Sequence, residues 1–180
     1  MHALCDMSRN DRRIEACIRR SDYSGARALI RVELRRRPDH HWLLTRLSST
    51  YYEQYQYRRA LAYSMKALLT VPTCPLVLWD HACILDMLNR KREAAQVYGK
   101  LIRRGVHSLA YAECGEGLAW ARGLVADSLY RLGGCRGALG QRSLSLRAYK
   151  QALRMRGPGC RSIYPVVEVR RKLAEARDVA

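Results

Sequence analysis

The sequence predicts an all-α chain of stacked helical hairpins, a superhelical solenoid closed by a C-terminal capping helix. Three observations predict it. Residue types recur every 34 positions through the first hundred residues: Ala26, Ala60 and Ala94; Tyr23, Tyr57 and Lys91; Cys17, Tyr51 and Leu85. Pro38 and Pro72 keep the same register, as do Ile14, Ser48 and Ala82. Within each period the apolar residues fall at helical spacing, and 34 residues accommodate two helices of about four turns with their turns. At 180 residues, 48% of them hydrophobic, the chain is long enough to bury one continuous core.

The elements follow in order. Residues 7–40, 41–74 and 75–108 are three copies of the unit. In the second, Leu44, Leu47, Tyr51 and Tyr52 form a first helix, and Gln54-Tyr55-Gln56 interrupts the pattern. The second helix carries Leu61, Met65 and Leu68 on one face, with Ala60, Ser64 and Ala67 beside them. Pro72 ends it, because proline lacks the amide and disfavours helix in the residue before it. The short side chains Ser48, Ala60 and Ala67 let two helices approach closely while larger neighbours fill the grooves.

After residue 108 the period breaks. Ser108 to Leu132 reads as one long helix with a stripe of Leu118, Ala121, Val125, Leu129 and Leu132, stopped by Gly133-Gly134. A partner helix, Gln141 to Arg156, carries Leu144, Ala148, Ala152 and Leu153, and Gly157-Pro158-Gly159 ends it. Residues 109–157 are thus an extended fourth hairpin. Pro165 to Ala176 forms the last helix, with Val166, Val169 and Leu173 buried. Segment 158–180 caps the stack, since an open-ended solenoid exposes apolar surface.

These residues resemble a known family. The stretch LLTRLSSTYYEQYQYRRALAYSMKALLTVP, Leu43 to Pro72, is similar to a tetratricopeptide repeat. It has that family's apolar–apolar–small–aromatic first helix, an aromatic before the second helix, and then Ala60, Ala67 and a closing proline. The flanking copies match more loosely, and the third ends at Gly105 rather than proline. The resemblance implies a right-handed solenoid in which the first helix of each hairpin lines a concave groove. That groove would hold an extended peptide or a partner helix. Carried onto the matching helices, it places Arg12, Glu15 and Arg19 there from copy one. Copy two supplies Trp42, Arg46, Ser49 and Tyr52, and copy three supplies Trp79, Asp80, Cys83 and Asp86. The family's best-known clamp for a terminal carboxylate uses Lys and Asn at these places, and this chain has neither. Its aromatics and mixed charges suit a segment with apolar anchors.

Charge supplies a second reading. Lys and Arg number 33 against 16 acids, a formal net charge of +17. Arginine dominates the cations, as a GC-rich coding sequence would produce, and no segment concentrates the charge. A solvated arginine-biased surface therefore explains most of it. Arg27, Arg31 and Arg35, at i, i+4 and i+8, form the best single basic patch, whether for an acidic peptide or for a nucleic acid or other anionic surface. The alternative function is a basic helical-repeat protein binding RNA, DNA or another polyanion. A domain that serves mainly to oligomerise is a further option.

Catalysis finds no motif: there is no Gly-rich phosphate loop, no GxSxG and no HExxH. Glu113 and Glu116 would share a helical face beside Cys114, but as surface groups, and the nearest histidine in sequence is His107. Seven cysteines, at 5, 17, 74, 83, 114, 135 and 160, form no CxxC pair and read as reduced thiols. His40-His41 is the one clustered pair of metal-ligand types, and adjacent side chains point apart on a helix. No metal or cofactor is expected. The longest uncharged run, 67–79, has 13 residues and two prolines, where a membrane helix needs roughly 20 apolar residues. The N-terminus lacks the apolar stretch of a signal peptide. The reading is a cytoplasmic, non-enzymatic adaptor or scaffold.

Overall fold

A computed structural model describes residues 8–178. Cys5, residue 7 of the first copy and residues 179–180 of the capping segment lie outside the described residues. Among the described residues there are nine helices and no strand. They are α1 (Arg9–Arg19), α2 (Tyr23–Arg36), α3 (His41–Tyr52), α4 (Tyr57–Thr70), α5 (Pro75–Met87), α6 (Lys91–Ala110), α7 (Leu118–Ala138), α8 (Arg142–Arg154) and α9 (Val166–Asp178). Each packs on the next in chain order, and α3 also packs on α5. The array is a solenoid of four hairpins with α9 laid on α8.

Local chemistry sets the ends. Ser8 and Asp11 form a capping box on α1, with Asp11 N–H donating to Ser8 Oγ at 3.1 Å and Ser8 N–H donating to Asp11 Oδ2 at 3.0 Å. Asp22 caps α2 through the Gly25 amide at 2.8 Å. The hairpin turns repeat one device. Ser21, Tyr55 and Asn89, 34 residues apart, all take left-handed backbone with φ near +60°, and Gly140 takes the same place in the fourth hairpin. In each, the following amide reaches back five residues: Asp22 to Cys17, Gln56 to Tyr51, Arg90 to Leu85 and Gln141 to Arg136. This is the Schellman ending, which satisfies carbonyls the helix leaves unpaired.

Burial follows the small residues. Ala26, Ala60, Ala67 and Ala94 are fully buried, and Ser48 Oγ donates to the Ala60 carbonyl at 2.9 Å across the second hairpin. Ser145 Oγ donates to the Gly133 carbonyl at 2.7 Å in the fourth hairpin. Of the predicted stripes, Leu44, Leu47 and Tyr51 are buried, as are Ala121, Val125, Leu129, Leu132, Ala148, Ala152, Val169 and Leu173. Met65, at 52% exposure, and Leu118, Leu144 and Val166 face solvent instead, so α4 turns its alanine–serine face inward.

Two boundaries correct the sequence reading. The stretch from Ser108 is not one helix. Instead α6 breaks at Gly105 (φ +76°), the expected end of the third copy, and a short helical stretch runs on to Ala110; residues 111–117 turn, and α7 starts at Leu118. Left-handed backbone at Cys114 (φ +61°) and Gly117 (φ +85°) reverses the chain there. Nor does Gly133-Gly134 stop α7, which continues to Ala138. These glycines make room instead: a Cβ on Gly133 would meet Tyr149 ring carbons of α8 at 2.7 Å. No helix of the described residues is long and apolar enough to cross a membrane.

Candidate functional site

The residues transferred from the repeat resemblance lie on α1, α3 and α5, and the fold sorts them into separate environments. Glu15, Arg19, Trp42 and Arg46 line a cavity of about 440 Å3, together with His41 and Cys114. Arg46 Nε lies 2.6 Å from a Glu15 carboxylate oxygen, and its guanidinium sits 5.4 Å from the Trp42 ring centre. That pairing ties the first hairpin to the second. Arg12 is exposed on the same helix as Glu15.

Ser49, Tyr52, Trp79, Asp80 and Cys83 line a second cavity of about 190 Å3. Trp79 packs edge-on against Tyr98, centroids 5.7 Å apart, and Tyr52 packs edge-on against Tyr57 at 5.4 Å. Cys83 is a core thiol at the back, pushed up to about 12 by burial. Asp80 differs from all of these. Its Oδ2 is buried without a hydrogen-bond partner, and burial pushes its pKa up to about 7 although Arg46 pulls the other way. Asp86 belongs elsewhere: it holds Lys91 at 2.5 Å and Arg131 at 3.1 Å, beside a cavity formed with Tyr130 and Tyr149.

The segment between α8 and α9 contributes to the second cavity. Ile163 and Tyr164 line it, and the Tyr164 ring lies 4.3 Å from that of Tyr130. Asp127 anchors the segment by accepting from the Ser162 hydroxyl and from the Ile163 amide at 3.1 Å. A Cβ on Gly123 would meet the Arg161 carbonyl at 1.9 Å, so only glycine lets the segment lie this close. Nothing in its sequence marked this stretch as groove-lining. The basic patch is also partly committed: Arg27 donates to Gln54 Oε1 at 2.7 Å and Arg31 to Tyr51 OH at 3.0 Å, while Arg35 is exposed.

A cluster of ligand-type side chains meets beside the larger cavity, two of whose lining residues, His41 and Cys114, belong to it. His41 opens α3, Cys74 is the N-cap of α5, and Cys114 lies in the 111–117 turn. Their donor atoms all lie within 4.8 Å of one another, and His41 Nε2 is 3.0 Å from Cys114 Sγ. A Glu113 carboxylate oxygen stands 3.8 Å from His41 Nδ1. The Cys74 thiol is held well below its ordinary value, because Cys114, His41 and the Val77 and Leu76 amides at the α5 N-terminus bond to it. Cys114 is pushed up by the same bond and by burial. His41 is raised chiefly by its bond to Cys74.

This arrangement corrects three expectations. Cys114 does have a histidine, 73 residues upstream, and Glu113 and Glu116 sit in a turn rather than on a helical face. The rings of His40 and His41 do not point apart either; they stack in parallel with centroids 5.9 Å apart. One signal was present: His40 and Cys74 are 34 residues apart, and both are N-caps of first helices. Cys114 follows the last full period, where the register carries no information.

No family model and no curated protein matches the sequence. Solved structures do match. MamA superposes with a TM-score of 0.68 at 17% identity, covering 96% of this chain and 85% of that one. MamA from Desulfovibrio magneticus RS-1 gives 0.64 at 17%, covering 81% and 73%. A tetratricopeptide repeat protein from Parabacteroides merdae gives 0.66 at 17%, covering 93% and 59%. The fold is that of a tetratricopeptide-repeat solenoid. At such identities the likeness extends to helix order and hairpin stacking; the side chains that line the two cavities are this chain's own.

Proposed function

We propose that this chain is a non-enzymatic interaction scaffold whose concave groove receives a peptide or partner helix. The observation that carries the reading is Asp80. Asp80 is half-buried, but its Oδ2 is buried without a partner, and such an oxygen costs stability unless something supplies a donor. Tyr52 and Trp79 stand beside it as aromatic walls, the residue types that most often centre binding energy. A ligand side chain bearing an amide, ammonium or guanidinium would satisfy Asp80 while apolar neighbours pack on the rings. The field of a +17 chain draws an acidic segment in. The residue entering the second cavity is then its one donor anchor.

The test is affinity capture with mass spectrometry, repeated with groove variants. Trp79→Ala or Tyr52→Ala should weaken capture roughly tenfold or more, as loss of a hot spot does. The helical circular-dichroism signal should survive. Normal binding by both variants would sink the groove reading and turn attention to Arg27, Arg31 and Arg35. Heparin chromatography then decides for the polyanion reading, because phosphate neutralisation weakens steeply between about 50 and 200 mM salt.

A further inference from the structure

We propose that His41, Cys74 and Cys114 form a binding site for a thiophilic divalent cation, zinc in the first instance. Three segments far apart in sequence bring one imidazole and two thiols to a common point, with all donor atoms within 4.8 Å of one another. A tetrahedral zinc ion, with bonds of about 2.3 Å to sulfur and 2.0–2.1 Å to nitrogen, sets its ligand atoms roughly 3.5–3.8 Å apart. The 3.0 Å between His41 Nε2 and Cys114 Sγ opens by less than an ångström to admit the ion.

The surroundings match a metal site in further ways. Glu113 faces His41 Nδ1, the nitrogen turned away from Cys114, as an outer carboxylate does when it orients a ligating imidazole. Cys74 is fully buried, which suits a ligand and rules against a nucleophile that must reach substrate. Two thiolates cancel the charge of the ion, so Arg37 and Arg46 nearby do not oppose it. On binding, each thiol still protonated releases its proton to solvent, and His41 ligates as the neutral ring. His41 and Cys114 also line the 440 Å3 cavity, from which solvent would supply the fourth ligand. The ion would then stitch the second hairpin, the third hairpin and the 111–117 turn together.

The experiment titrates the reduced full chain with Co2+, followed by displacement with Zn2+. One equivalent of Co2+ should produce a sulfur-to-cobalt charge-transfer band, which Zn2+ abolishes. Cys114→Gly removes one thiol while suiting the left-handed backbone of that turn, so the fold is kept; its band should fall to about half, with affinity reduced more than about tenfold. His41→Asn should likewise lose affinity, and Cys160→Ser should match wild type. Zn2+ at a hundredfold excess over its Kd should raise Tm by roughly 5–10 °C in wild type and not in Cys114→Gly. Equal cobalt binding by wild type and Cys114→Gly would overturn the proposal. So would a Cys74–Cys114 disulfide that persists in mild reductant and leaves no metal bound.

Discussion

Asp80 is a carboxyl placed where its charged form is unwelcome, and that makes it a reporter on the fold. Its ordinary value of 3.8 rises to about 7, so the folded chain holds the proton more tightly than the unfolded one. Asp80 therefore costs nothing below about pH 4, destabilises progressively as pH rises to about 7, and stays at its full cost above. Asp80→Asn keeps the shape and removes the charge. At pH 8 the variant should be more stable by about 1–3 kcal/mol, with the advantage vanishing near pH 4. Paired thermal melts at the two pH values measure this; a constant difference would show that Asp80 is ordinary. If the groove reading holds, the same variant should bind its partner less well, a stability gain set against function. Adjacent glycines offer a second contrast. In a helix interior, Gly→Ala ordinarily stabilises by up to about 1 kcal/mol. Gly134→Ala should follow that rule, because its Cβ would meet Tyr149 OH at an ordinary 3.6 Å. Gly133→Ala should instead destabilise by about 1–3 kcal/mol, since ring carbons at 2.7 Å have to move. Two urea titrations settle the signs.

The hairpin is the element on which this chain is built, and its two contacts are the close crossing and the left-handed turn. Ala60 is fully buried where Ser48 bonds its carbonyl, so Ala60→Leu should overpack the crossing and cost on the order of 1–3 kcal/mol. Ala26 and Ala94 hold equivalent positions and should behave alike; an unchanged Tm in all three would count against the pairing. In the turn, Ser21 pays for left-handed backbone that glycine adopts freely. Ser21→Gly should stabilise by about 1 kcal/mol in a melting experiment. The crossing was legible in sequence because small residues recur at 34-residue spacing. The turn was not: Ser21, Tyr55 and Asn89 share a conformation without sharing a chemistry, so no residue pattern marks them. The same limit hid the end of α7. Gly133-Gly134 looks like a stop until the Tyr149 ring that fills the space is seen, and that ring comes from another helix. The residues expected to line the groove lie on α1, α3 and α5, and which of them face a cavity depends on packing. Asp86 went to Lys91 and Arg131, and Tyr164 arrived from a linker. The His41–Cys74–Cys114 cluster spans 73 residues, and the repeat register hinted only at its first two members, through the N-caps His40 and Cys74.

At the scale of the whole molecule, stability is a sum over hairpins and the interfaces between neighbours, because each helix packs mainly on the next. The charge is distributed in the same way, and it works against that sum. About half of the described acids are engaged by Lys or Arg: Asp11 and Glu33 hold Arg37, Glu15 holds Arg46, Asp86 holds Lys91 and Arg131, Glu93 holds Arg90, Asp127 holds Arg156, and Glu175 holds Arg171 and Lys172. Many of the 33 cations have no acid to meet, and several of these sit side by side, as at 35–36, 58–59 and 103–104. Salt acts on both populations. It weakens exposed ion pairs, each worth only about 0–1 kcal/mol, and it screens repulsion among all the excess arginines. The screening length falls from about 30 Å at 0.01 M to about 10 Å at 0.1 M, which leaves close pairs partly intact while removing the longer-range repulsion along the solenoid. Repulsion has more members and longer reach, so its loss should win. Tm should rise by roughly 2–5 °C between low salt and 200 mM sodium chloride. Chloride and sulfate at matched ionic strength would separate screening from anion binding, since screening alone predicts the same rise for both. A flat or falling Tm would mean that the paired acids outweigh the surplus arginines, and that the charge of this chain is held in local networks rather than spread as a field.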